Sequence, residues 1–123
     1  MKRMFIAALL AGAALSSQAA EPTRSDAKDF IARLDAAVER GNAQIRSGKA
    51  DPVERRKQAQ ALASLENEGG KFGVLFTPFH KCNEAGISAA SAWQGLISLN
   101  NRQFENGVDS YEKERQACLE AAN

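Results

Sequence analysis

The chain has 123 residues, enough for one domain, and its 16 lysines and arginines nearly balance its 15 aspartates and glutamates. A net charge so close to zero gives no electrostatic reason to expect binding to nucleic acid or to an anionic lipid surface. We therefore expect neither of these partners.

The first predicted element is an N-terminal secretory signal peptide, residues 1–19. Lys2 and Arg3 form a basic start, an apolar stretch follows, and small residues precede the first acidic side chain. This is the pattern of a signal peptide, and the apolar stretch is shorter than the roughly 20 residues that span a bilayer. Cleavage after Ala19 fits the small-residue rule best, with Ala20 as the alternative. We predict a periplasmic or secreted protein with no stable membrane insertion after cleavage.

Residues 20–123 are predicted to form a single helical domain. This segment has 14 basic and 15 acidic residues, no methionine and two cysteines. Apolar residues recur every three or four positions through most of it, which is typical of amphipathic helices. The predicted fold is all-α, a small antiparallel bundle of about four helices whose ends are marked by capping residues and glycines. The expected bounds are Ser25 or Asp26 to Ser47-Gly48, Asp51-Pro52 to Gly69-Gly70, about Pro78 to Leu99, and a fourth helix after the turn Asn100-Asn101.

The segment from Lys71 to Phe76 is ambiguous because its apolar residues are too few to set a period. One interpretation is a buried extended plug, and the other is an extra turn that leads into a helix kinked at Pro78. We favour the plug, since Thr77-Pro78 resembles a helix cap followed by a first helical residue.

The positions of the two cysteines on the third and fourth predicted helices indicate a disulfide. If these helices are antiparallel about their turn, residues equally distant from the turn face each other, and this register brings both apolar stripes together. It also places Cys82 opposite Cys118, and an even cysteine count in an exported protein most simply means a disulfide. Closing this loop should stabilise the fold by roughly 3–4 kcal/mol. The other facing pairs are Ala89 with Tyr111, Leu96 with Phe104, and Trp93 with Val108.

A candidate partner surface comes from one basic run and two aromatic residues. Arg55, Arg56 and Lys57 lie near the start of the second helix, where positive charge opposes the helix dipole. A basic run in that place is a candidate contact surface, and a solvated helix face is the other interpretation. Phe72 and Phe76, in the ambiguous segment, are the apolar candidates for the same surface.

Other kinds of site find little support in the sequence. His80 lies two residues before Cys82, but a structural zinc takes four ligands, and two oxidised thiols leave too few. A Cys-x-x-Cys-His haem motif, a Gly-x-Ser-x-Gly elbow and a phosphate-binding glycine loop are all missing. We expect no metal, no cofactor and no enzyme, and an enzyme using His80 is the least favoured alternative.

These patterns predict a non-enzymatic protein that binds another envelope protein of unknown identity. In architecture alone the chain is similar to periplasmic immunity proteins and to acid-stress chaperones. The first likeness implies an inhibitor or immunity-type protein. The second implies a pH-responsive chaperone that exposes Phe72 and its apolar neighbours when its carboxylates are neutralised. The small-residue run 85–92 indicates tight packing within the monomer or, alternatively, a homodimer face.

Overall fold

A computed structural model describes residues 21–49, 51–73 and 77–123, and within them it has four α-helices and no strand. A single 3₁₀ turn, Gly70–Phe72, follows the second helix. The predicted all-α bundle of four helices is therefore confirmed. The predicted signal peptide lies outside the described residues. The helices are α1, Arg24–Ser47; α2, Pro52–Gly69; α3, His80–Ile97; and α4, Asn101–Ala122.

The first two helices both begin at capping residues. One of these residues is the predicted one, and the other is not. Asp51 was expected to cap α2, and its Oδ1 accepts a hydrogen bond from the Glu54 amide at 2.8 Å. The start of α1 is a correction, because Thr23 is the cap rather than Ser25 or Asp26. Asp26 is instead the third helical residue, and its carboxylate accepts from the Thr23 amide while Thr23 Oγ1 accepts from the Asp26 amide. This reciprocal pair satisfies two amides that the helix leaves free.

The chain between α2 and α3 also differs from the prediction. The helix α3 begins at His80 rather than at Pro78, with Phe79 and not Thr77 at its N-cap position. Thr77 Oγ1 instead donates to the Phe72 carbonyl at 3.1 Å and accepts from the Phe79 amide at 3.0 Å. The predicted extended plug begins as a 3₁₀ turn, and residues 74–76 lie outside the described residues. Phe72 is nevertheless fully buried, with its ring centroid 5.3 Å from that of Phe30.

The helices α3 and α4 form the predicted antiparallel hairpin. Cys82 and Cys118 are joined by a disulfide with their Cα atoms 4.8 Å apart, and both are fully buried. The two backbones approach closely because glycines occupy the contact. A Cβ at Gly107 would lie 2.8 Å from Ala92 Cα, and one at Gly95 would lie 2.6 Å from the Phe104 amide nitrogen. These contacts follow the same register as the disulfide.

The small-residue run of α3 packs largely inside the monomer. Ala85, Gly86, Ala89 and Ala92 are buried, and a Cβ at Gly86 would lie 3.5 Å from the Cα of Glu66 in α2. Small side chains therefore let α3 approach both α2 and α4, in agreement with the first interpretation of this run. None of the described helices is long and apolar enough to cross a membrane.

Candidate functional site

One end of the bundle holds an apolar pocket between two chain turns. The turn between α1 and α2 and the turn between α3 and α4 lie at this end, and a cavity of about 210 Å³ opens between them. Its lining is apolar except for one amide and one guanidinium side chain. We call this cavity the end pocket. It is lined by Gln44, Ile45, Gly48, Arg55, Trp93, Leu96, Ile97 and Leu99.

Leu99 is the most unusual residue of the end pocket. Its φ of 57° is the only positive φ among the described residues other than glycine. The Asn100 amide donates to the Gly95 carbonyl at 2.8 Å and the Leu99 amide to the Leu96 carbonyl at 3.3 Å. These two bonds form a Schellman motif with Leu99 at the left-handed position, where glycine is usual. A side chain in that conformation costs about 1–2 kcal/mol.

The side chain that occupies this costly position is not used for packing. Leu99 is 88% exposed, and the neighbouring Ile45 and Ile97 are 43% and 40% exposed. Single exposed apolar residues are ordinary on protein surfaces, whereas a cluster around a concave site is typical of an interaction site. The three side chains form an apolar border that burial within the monomer does not explain.

Trp93 gives the end pocket a fixed wall. The indole is almost fully buried, and its Nε1 donates to the Arg55 carbonyl at 3.1 Å. A Cβ at Gly41 would lie 3.1 Å from the ring, so α1 approaches the indole closely only because residue 41 is glycine. The hydrogen bond and this contact hold the indole between α1 and α2. The amide oxygen of Gln44 is buried in the same region, with no hydrogen-bond partner in the described part of the chain.

A second and smaller cavity lies beside the end pocket, between α1 and α4. Its volume is about 140 Å³, and it shares Ile45 and Trp93 with the end pocket. Its floor includes Gln58, a buried side chain whose Nε2 donates to the Ala37 carbonyl at 2.6 Å. Because Trp93 borders both cavities, the fluorescence of this sole tryptophan should report occupancy of either one.

The predicted partner surface is divided by the fold. Arg55, Arg56 and Lys57 are exposed at the start of α2, and Arg55 lines the end pocket. Phe72 lies at the other end of the bundle, where it is fully buried and packs against two other phenylalanines. It is therefore part of the core in this conformation, because its ring fills the space beneath the 3₁₀ turn. Phe76 lies outside the described residues.

His80 lies far from the end pocket, at the start of α3. It is exposed, and its Nδ1 is 3.3 Å from the Thr77 carbonyl oxygen. In the ranges that the structure describes, no group of three or more histidine, cysteine, aspartate or glutamate side chains is placed to hold a metal ion. The sulfur of the nearby Cys82 is bonded to that of Cys118.

A polar cluster ties α1 to α4 on the flank of the bundle. Arg115 Nε donates to both carboxylate oxygens of Asp35, at 2.8 and 2.9 Å, and the Tyr111 hydroxyl donates to the same carboxylate. Burial and the hydrogen bond to Asp35 raise the pKa of Tyr111 well above its usual range. The hydrogen bond to Asp35 also raises the pKa of Arg115. The hydrogen bonds of all three groups are made within the cluster. We therefore interpret the cluster as a structural link that positions α1 relative to α4.

Sequence reasoning missed Ile45, Ile97 and Leu99 as site residues. Ile45 continues the apolar period of α1, which predicts a buried side chain, yet it is 43% exposed because the apolar stripe extends beyond the core near the end of the helix. The available signal was the turn Ser98-Leu99-Asn100, which follows a helix without the glycine that such an end usually carries. Comparison of the chain with protein-family models, curated proteins and solved structures gave no significant match.

Proposed function

We propose that this chain is a non-enzymatic binding protein of the cell envelope that holds a segment of another exported protein in the end pocket. The observation that carries the proposal is Leu99. Glycine at this position would form the same turn without the cost of a left-handed side chain, and the leucine contributes little to the core. A strained residue that displays an apolar side chain is typical of a contact site.

The shape of the end pocket supports a protein side chain as the ligand. A cavity of about 150 Å³ accommodates a benzene ring, and the end pocket has about 210 Å³. One phenylalanine or leucine of a partner therefore fits in it. The indole of Trp93 forms a rigid wall, and Ile45, Ile97 and Leu99 surround the inserted side chain. An anchor residue in a preformed pocket is the usual centre of a protein interface.

The disulfide supports the location in the envelope. Disulfides persist in oxidising compartments such as the periplasm and are rare in the cytosol. The Cys82–Cys118 bond joins the two helices that carry Leu99 between them. The bond therefore stabilises the hairpin whose turn presents the contact residue.

Photocrosslinking in intact cells tests the proposal. A photoreactive amino acid is placed at position 99 and, in a matched control, at position 87, because Ile87 is also exposed and apolar but lies on the flank of α3. We expect position 99 to yield one defined adduct with an exported protein and position 87 to yield none. The adduct should disappear when Ile97→Asp is added. Equal adducts from both positions, or none from position 99, would contradict the proposal.

A further inference from the structure

We infer that the segment held in the end pocket is acidic, with carboxylates on either side of its apolar anchor. This inference rests on the proposed function and adds the chemistry of the partner. It comes from the distribution of charge over the bundle, which is not apparent from the near-neutral total.

The charges of the chain are divided between its two ends. Residues 41–49, 51–57 and 93–108 form the end that carries the pocket, and they hold six basic and three acidic side chains. The rest of residues 21–123 holds eight basic and twelve acidic side chains. The pocket end is therefore positive and the remainder is negative. The six basic residues are Arg46, Lys49, Arg55, Arg56, Lys57 and Arg102.

Most of the positive charge near the pocket is left without an ion pair. Within the described residues, Lys49, Arg55, Arg56 and Arg102 form no salt bridge. Three acids lie at the same end, fewer than the six basic residues, and one of them, Glu54, pairs with Lys57. These four cations belong to the pocket end of the bundle, and Arg55 lines the pocket itself. They favour a ligand that combines an apolar side chain with carboxylates.

The shape of the site favours a protein segment over a membrane surface. Basic and apolar residues together also occur on proteins that lie on anionic bilayers, where protruding side chains enter the lipid. Here the apolar residues surround a concavity, with Trp93 as its almost fully buried wall. A flat bilayer cannot fill a concavity, whereas an anchor side chain can.

The test uses three blocked peptides of about a dozen residues as probes. Each has one phenylalanine and one leucine a helical turn apart, and the other positions are mainly glutamate, glutamine or lysine. Binding to the mature protein is followed by amide chemical shifts, which locate the contact, and by Trp93 fluorescence. If each of four exposed charge pairs contributes about twofold, the glutamate peptide should bind roughly 16-fold more tightly than the glutamine peptide at low salt. High salt should remove most of this difference.

A charge-reversal variant completes the test. Arg55→Glu combined with Arg56→Glu should remove the preference for the glutamate peptide, while Lys28→Glu, an exposed lysine of α1 far from the pocket, should preserve it. Equal affinity for the glutamate and glutamine peptides would overturn the inference and leave the apolar docking of the proposed function standing. Binding of none of the peptides, or tighter binding to vesicles of anionic phospholipid, would also overturn it. Concentration-dependent shifts of the same amides without peptide would identify a second copy as the occupant and overturn it too.

Discussion

Replacing Leu99 by glycine should stabilise the protein although it removes a large apolar side chain. Relief of the left-handed conformation contributes about 1–2 kcal/mol, and the greater freedom of glycine in the unfolded chain removes about 0.4–1 kcal/mol of that gain. Leu99 is 88% exposed, so the lost burial costs only a few tenths of the roughly 1.5–3 kcal/mol of a buried leucine. Taking the middle of each range, the net gain is about 0.5 kcal/mol, or roughly 2–4 °C in Tm for a domain of this size.

The assay is thermal and urea denaturation of the wild type, Leu99→Gly and Leu99→Ala. Alanine removes most of the side chain but keeps the left-handed strain, so Leu99→Ala should leave Tm within about 2 °C of the wild type. Both variants should bind the partner more weakly than the wild type. A lower Tm for Leu99→Gly would refute the reasoning, because it would show that the leucine stabilises the monomer.

Three further predictions concern the fold and its pH dependence. Cys82→Ser should lower the free energy of unfolding by about 3–4 kcal/mol, because a disulfide across 36 positions no longer restricts the unfolded chain, and Tm should fall by more than about 10 °C. Gly107→Ala should destabilise the hairpin by about 1–3 kcal/mol in urea denaturation, since its Cβ would meet the Cα of Ala92 at 2.8 Å. The hydrogen bond from Arg33 lowers the pKa of Glu68, so Glu68→Gln should cost up to about 1 kcal/mol at pH 7.

Each of these predictions has a control or a contrary outcome. Gly70→Ala should be neutral or stabilising, because residue 70 has helical φ and ψ and nothing lies within 4 Å of its Cβ position. The contribution of Glu68 is present above its unfolded pKa of about 4.3 and disappears as pH falls through its lower folded pKa. The difference in stability between the wild type and Glu68→Gln should therefore shrink as pH falls below the unfolded pKa, and a difference that stays constant into acid would contradict the ion pair. An unchanged Tm for Cys82→Ser would contradict the predicted role of the disulfide.

The sequence allowed the hairpin to be predicted because two independent signals agreed. The apolar stripes of α3 and α4 and the positions of Cys82 and Cys118 require the same register, and the structure has that register. The helix ends were less predictable, since several side chains near Thr23 and Thr77 can accept hydrogen bonds from the free amides at the start of a helix. Which one does so depends on tertiary contacts, such as the bond from Thr77 to the Phe72 carbonyl.

The end pocket could not be predicted from the sequence because it depends on where two distant turns meet. Ile45 continues the apolar period of α1, and only the relative positions of the helices show that its side chain passes beyond the core. The sequence indicated the basic run at Arg55 as a candidate contact surface. That this run lies beside Trp93 is apparent only from the structure, in which the indole donates a hydrogen bond to the Arg55 carbonyl. Charge asymmetry between the two ends likewise appears only when the chain is folded.

The most direct test of the account is the dissociation constant of the partner captured by crosslinking, measured with purified proteins. If Leu99 enters the interface, Leu99→Ala should weaken binding by at least about tenfold, which corresponds to 1.4 kcal/mol. Ile87→Ala, an equivalent truncation of an exposed apolar residue on the flank of α3, should change it by less than about twofold. Equal dissociation constants for the wild type and Leu99→Ala would contradict the central claim that the end pocket is the binding site.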